Sequence, residues 1–118
     1  MQAPPIEHIK IGYVAIPLIP RLLSKKLSAK DVQEFFTSYY ESEFFVKVMP
    51  YDSEQYLDQF FFSATHCNDT NRVEIFVFGD SDRILVLSRF DNLGKGSSGA
   101  AIQNMNIILG VDEATGLN

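Results

Sequence analysis

Apolar and polar positions along this chain sort it into short strands and two helices. Residues 9–18 (Ile-Lys-Ile-Gly-Tyr-Val-Ala-Ile-Pro-Leu) are rich in β-branched side chains with partial alternation, which predicts a strand. Pro17 and Pro20 make its far end an edge or an exit. Ser28 then reads as an N-cap, and Asp31 three residues later completes a capping-box pattern. Val32, Phe35, Phe36 and Tyr39 fall at i, i+3, i+4 and i+7, so this helix is expected to bury that aromatic stripe against a sheet. Residues 44–49 form a short apolar run closed by Pro50, and the acidic stretch 51–59 reads as a surface loop. Phe60, Phe61 and Phe62 predict a strand covered on both faces. Residues 72–79 and 83–90 are two strand-like runs joined by Gly79-Asp80-Ser81-Asp82, a hairpin signal. A second helix should begin near residues 95–98 and run to Leu109, with Gly110 just past its end. Its buried stripe is expected to be Ala101, Ile102, Met105, Ile108 and Leu109.

The order β-α-β-(β)-β-β-α, with adjacent strands joined by a tight turn, predicts an α+β fold. An antiparallel or mixed sheet should carry its helices on one face. Residues 1–8, with Pro4 and Pro5, read as an extended N-terminal arm, and residues 9–118 as a single domain.

Composition narrows the class. The chain has 118 residues, 46% of them hydrophobic and 21% charged, which excludes disorder, and its single Cys excludes an internal disulfide framework. Ten Lys+Arg against fifteen Asp+Glu give a net charge of −5, which argues against nucleic acid as a partner. No apolar run approaches the ~20 residues of a membrane helix, and the N-terminus lacks a signal-peptide core, so no membrane association and a cytoplasmic (or organellar) setting are expected. A nucleotide domain and a substrate domain of about 100–150 residues each would not both fit this length.

Candidate chemistry is sparse. The sequence contains no CxxC, HExxH, GxxxxGK[ST], GxSxG or post-strand GxGxxG, so neither a catalytic residue nor a metal ligand is assigned. His66 and Cys67 are neighbours, which by itself places their side chains apart, so an unreactive, part-buried thiol is expected. His8 receives no role. One segment stands out: Asp91-Asn92-Leu93-Gly94-Lys95-Gly96-Ser97-Ser98-Gly99-Ala100-Ala101-Ile102-Gln103-Asn104-Met105-Asn106. It follows a strand, carries three Gly and one Lys, and opens a helix. Such a turn suits an anionic group at the helix start; it equally suits close helix packing. Both readings stand at this point. The amides Gln103, Asn104 and Asn106 mark either a polar interface or a solvated side.

These residues carry a resemblance. Asp91-Asn92-Leu93-x-Lys95-Gly96 followed by Gln103-Asn104-x-Asn106 is similar to the C-terminal signature of the N-acetyl-gamma-glutamyl-phosphate reductase family, D-N-L-x-K-G-A-x-x-Q-A-x-Q-N-x-N. The ending Glu113-Ala114-Thr115-Gly116-Leu117 fits the family's E-x-x-G-L tail. Thr70-Asn71-Arg72-Val73-Glu74-Ile75 resembles its G-T-N-x-C-D-I, with Asp69 in the glycine position and Val73 in the cysteine position. Residues 40–48 resemble Y-x-x-E-P-F-V-R-V, and Ile16-Pro17-Leu18 an I-P-L strand. The similarity spans residues 12–117 and is strongest in the last third.

The resemblance implies an NADP-dependent enzyme of arginine biosynthesis that reduces N-acetyl-glutamyl phosphate to the semialdehyde. Such enzymes join a Rossmann domain to a glyceraldehyde-3-phosphate-dehydrogenase-like α+β domain that provides substrate contacts and the subunit interface of a homo-oligomer. Carried over residue by residue, Asn92, Lys95 and Gly96 would lie on the cofactor side, Asn71 on the substrate side, and Gln103 and Asn104 in the domain contact. The family's Gly-Cys nucleophile, nucleotide fingerprint and catalytic-His segment are not in this sequence, and Ser97 replaces the alanine after Lys-Gly. The chain alone is therefore expected to be inactive and not to bind NADP tightly. Two alternatives stay open: a part of the related aspartate-semialdehyde dehydrogenase, or a non-catalytic binding or oligomerisation module.

Overall fold

In the computed structural model, which describes residues 10–51, 57 and 61–118, four strands form one mixed sheet. They are β1 (Ile11–Leu18), β2 (Val46–Val48), β3 (Val73–Gly79) and β4 (Ile84–Asp91), ordered β1-β4-β3-β2. The hairpin read from Gly79-Asp80-Ser81-Asp82 joins β3 to β4. The Asp80 carboxylate accepts the Asp82 and Arg83 N–H groups at 2.7 and 3.0 Å, which pins the turn. Gly79 has φ 114°, and a Cβ there would fall 1.9 Å from the Arg83 carbonyl oxygen, so only glycine fits. β1 pairs antiparallel with β4 from Ile11 opposite Asp91 to Leu18 opposite Ile84. The short β2 pairs parallel with β3, which makes the sheet mixed.

Helix α1 (Ala29–Tyr39) opens on the expected capping box: Ser28 Oγ accepts the Asp31 N–H at 3.2 Å, and Asp31 accepts the Ser28 N–H at 2.7 Å. Its inward face differs from the expected stripe. Ala29 and Val32 are buried, with Phe36 and Tyr40 part-buried, against Ile75, Val77, Ile84 and Val86 of the sheet. Phe35 and Tyr39 are 62% and 66% exposed and stack on each other at 5.9 Å. The spacing 29, 32, 36, 40 follows a face rotated from the one drawn through 35 and 39, and the small Ala29 lets the helix approach the sheet there.

Register places Glu74, Phe76, Leu85, Leu87, Arg89, Tyr13, Ala15 and Pro17 on the opposite face. Its β3 end is covered by Phe62, which meets Phe76 edge-on at 5.2 Å. Its β1 end is open, with Tyr13 60% exposed. Of the strand expected at residues 60–62, Phe60 lies outside the described residues, Phe61 makes an isolated bridge and Phe62 packs as a loop residue. The arm at residues 1–8 and most of the loop at 51–59 lie outside them as well.

After β4 the chain makes a wide turn with π-helical bonding (Gly94–Ser98) and enters α2 (Gly99–Leu109). Gly110 ends the helix in the left-handed region with φ 70°, as its position implied. Most of the expected buried stripe is turned outward: Ala101, Met105, Ile108 and Leu109 are exposed, Ile102 is part-buried, and the buried helix residues are Gly99 and Asn106. The polar side of α2 faces the body of the chain because specific hydrogen bonds await it there. His66 and Cys67 do not lie apart as their adjacency implied. Sequence neighbours diverge in extended chain, but residues 64–69 form a turn, and both side chains come within 4.8 Å of the Glu74 carboxylate.

Candidate site at the start of the last helix

The end of β4 fixes the site. Asp91 is buried, and its carboxylate accepts the N–H groups of Leu93 and Gly94, each at 2.8 Å, and of Asp69 at 2.6 Å. Burial would push this acid up, but the three backbone donors hold it below the usual carboxylate range. Asp91 thereby ties the loop before β3 to the turn before α2. Asp69 adopts φ 61°, and its side chain pairs with Lys10, while the Asn92 N–H donates to the Lys10 carbonyl at 2.7 Å.

The glycines of the signature are used for close approach. A Cβ at Gly94 would sit 2.9 Å from the Thr70 carbonyl oxygen, and one at Gly96 3.0 Å from the Phe90 ring. At Gly99 it would meet Asn71 Oδ1 at 2.2 Å and the Gly94 carbonyl at 2.8 Å. The turn's own donors are also engaged: Leu93 and Gly94 by Asp91, and Ser98 by the Leu93 carbonyl at 3.1 Å.

Behind the turn lies an amide network. Gln103 Oε1 accepts from Lys95 Nζ and from Asn71 Nδ2, the latter at 3.1 Å, while Gln103 Nε2 donates to Glu113 at 2.7 Å. Two donors converge on one end of this amide and a carboxylate on the other, so its orientation is forced. Lys95 also lies over the Phe45 ring at 5.6 Å. Burial lowers its ammonium pKa, with Glu113 and Glu43 partly opposing. Asn106 donates to the carbonyls of Glu113 and Thr115 at 3.1 and 2.8 Å, and the Asn71 N–H donates to that of Asn118 at 2.7 Å. These bonds fold residues 111–118 back under the helix. Asn71 Oδ1 is buried without a hydrogen-bond partner. A cavity of about 270 Å³ opens here, lined by Asn71, Asp91, Gly94, Ser98 and Gly99 among others.

Of the residues singled out in the sequence, Asn71, Lys95 and Gln103 thus meet at one amide. Asn92, Gly96 and Asn104 lie off it, exposed. Asp91, Asn106 and Glu113 are the parts that sequence reasoning left without a role. Asp91 had a readable signal, an acid two and three residues before the N–H groups it caps. The acid at 113 appeared only as a letter in a tail motif.

The family model for semialdehyde dehydrogenase, dimerisation domain, matches residues 13–92. An N-acetyl-gamma-glutamyl-phosphate reductase 2 of Nostoc sp. is 44% identical over 107 residues, covering 88% of this chain and 33% of its own length. The N-acetyl-gamma-glutamyl-phosphate reductase of Methanococcus vannielii is 44% identical over 96 residues, covering 81% of this chain and 26% of its own. The chain thus spans a third or less of the length of these curated relatives. Among the described residues, no helix is long and apolar enough to cross a membrane.

Proposed function

This chain belongs to the semialdehyde dehydrogenase dimerisation-domain family, and from that premise we propose that it serves as the dimerisation and substrate-side portion of an N-acetyl-gamma-glutamyl-phosphate reductase. The whole enzyme would use NADP, act in arginine biosynthesis and work in the cytoplasm. The observation that carries this reading is the 44% identity to the Nostoc reductase over 88% of the chain. Within it, residues 9–118 act as one domain.

The chain's own groups define its share of the reaction. NADPH, when bound to the assembled enzyme, supplies the hydride that reduces the acyl group. The exposed Asn92, Gly96 and Asn104 suit a cofactor or a nucleotide-binding domain approaching from outside. The phosphate end fits less well, because the Leu93 and Gly94 N–H groups are already spent on Asp91. Lys95 and Gln103 therefore act as a braced wall of the site, and Asn71, with its unpaired buried Oδ1, faces the substrate side. The open sheet face around Tyr13, Ala15 and Pro17 is the surface on which a second copy packs. The outward apolar side of α2 meets the nucleotide-binding domain.

The test uses the purified chain. It should sediment as a dimer, oxidise no NADPH with N-acetyl-glutamyl phosphate, and show no melting shift with NADP. Turnover by the chain alone, or a monomer at all accessible concentrations, would overturn the proposal.

A further inference from the structure

On the sheet face opposite α1, β3 and the preceding turn bring together three side chains that the proposed reductase role does not use. His66, Cys67 and Glu74 each offer one donor atom, and these atoms all lie within 4.8 Å of one another. Cys67 and Glu74 are buried, and His66 reaches the surface. The Glu74 carboxylate is held from behind: Arg89 Nε and Nη2 contact its Oε2 at 2.7 and 2.6 Å, and the guanidinium is itself fixed between the Phe62 and Phe76 rings, 4.9 Å from each centroid. His66 Nδ1 stands 3.4 Å from the same oxygen. Glu74 Oε1 is the freer side. Arg72 Nε lies 3.2 Å from it as an ion pair without hydrogen-bond alignment, and the Arg72 side chain is 37% exposed.

We propose that His66, Cys67 and Glu74 form a zinc site that clips the turn at residues 64–69 to β3. One imidazole nitrogen, one thiolate and one carboxylate make a mixed donor set that suits zinc rather than calcium or magnesium. Tetrahedral ligands at zinc stand about 3.5 Å apart; His66 Nδ1 is already 3.4 Å from the Glu74 carboxylate, so the remaining contraction, at most about 1 Å, brings the Cys67 thiol toward that pair through the turn at residues 64–69. Arg89 takes the part of an outer partner that orients the ligating carboxylate. Arg72 swings toward solvent as the ion enters. The Cys67 thiol releases its proton to water and binds as thiolate, and no electron is transferred. With Arg72 displaced, the dication, one thiolate, one carboxylate and Arg89 sum to a local charge of +1, the same as Glu74, Arg89 and Arg72 carry together without the ion. The fourth position, beside His66, is left for water.

The experiment is a titration of the tag-free, reduced, metal-stripped chain with Co²⁺ as spectroscopic probe, and with Zn²⁺ in competition with a chromophoric chelator. One equivalent of Co²⁺ should produce a thiolate-to-metal charge-transfer band. Cys67→Ser should abolish that band. His66→Asn should weaken Zn²⁺ binding at least about tenfold, with an unchanged far-ultraviolet spectrum in the metal-free protein. Zn²⁺ should raise the melting temperature of the parent chain and not of the variants. Absence of the band, or equal Zn²⁺ affinity in the parent and His66→Asn, would show a salt-bridged cluster only and overturn the proposal. His66 is exposed, so the His66→Asn arm decides the matter even if Cys67→Ser fails to fold.

Discussion

Gly99→Ala opposes two effects whose sizes can be compared. At an ordinary helical position the change favours folding by about 1 kcal/mol. Here the new Cβ would lie 2.2 Å from Asn71 Oδ1 and 2.8 Å from the Gly94 carbonyl carbon and oxygen. The first clash is relieved if the Asn71 side chain withdraws, which sacrifices its bond to Gln103, worth about 1 kcal/mol. The second involves backbone locked in the turn before α2, where overpacking costs roughly 1–3 kcal/mol. The helix gain and the lost hydrogen bond cancel, leaving a net destabilisation of about 1–3 kcal/mol. Urea denaturation of the two chains reads this as a lower midpoint with unchanged slope. Asn71→Ala removes the first clash but leaves the second, so Gly99→Ala should cost about 1 kcal/mol less in that background than alone, about 0–2 kcal/mol. A Gly99→Ala chain as stable as the parent, or more so, would refute the close-packing account of this glycine.

Four further outcomes are expected. Arg89→Leu, which strands a buried carboxylate, should cost about 3–5 kcal/mol, and the double change with Glu74→Leu should recover most of it, as read by denaturant midpoints. Burial would raise the Glu74 pKa, but the Arg89 bond and charge, with Arg72 and His66, lower it overall. Its folded pKa therefore lies below the unfolded one, and the stability it contributes is present above the ordinary carboxylate range of about 4–4.5 and is lost as pH falls through the folded value. Denaturation at successive pH values should accordingly show an acid limb that flattens in the double variant. Gly110→Ala, with open space around it but φ 70°, should cost about 1–2 kcal/mol, and Gly110→Asn less, by thermal melts. Tyr13→Glu, on the open sheet face, should weaken self-association in sedimentation by more than tenfold while changing monomer stability by less than about 0.5 kcal/mol.

The parts of the fold set by short-range rules were legible in the sequence. Ser28 and Asp31 specify a helix start through bonds three residues apart, and Gly79-Asp80 closes a hairpin whose strands follow directly. β2 pairing parallel to β3 was not readable, because that neighbour is chosen by contacts 27 residues apart. The aromatic side of α1 was misplaced by one helical step for a related reason: Phe35 and Phe36 have the same hydrophobicity, and only the small Ala29 marks the side that approaches the sheet. Of the site, the segment and its glycines were visible. The convergence of Asn71, Lys95 and Glu113 on Gln103 was not, since it joins three stretches of chain.

Helix α2 shows what hydrophobic patterning encodes. Its apolar residues recur at helical spacing, and so do Gly99, Gln103 and Asn106, at i, i+4 and i+7. Both faces are periodic, and the polar one packs inward. Asn106 satisfies two tail carbonyls and Gln103 balances Lys95 against Glu113, so turning the helix over would strip the tail carbonyls, Asn71 and Lys95 of these partners, at about 1–3 kcal/mol for each that stays buried. The price on the other side is that Met105, Ile107, Ile108, Leu109 and Val111 stay in water, with Ile108 84% exposed. Burying side chains of this size is worth about 1.5–3 kcal/mol apiece, so the five together forgo a sum comparable to the whole stability of a small domain. A sequence does not keep such a stripe for solvent. On the role proposed above, the stripe is the surface a nucleotide-binding domain would cover, and the apolar pattern of α2 would then encode that contact rather than this chain's own core.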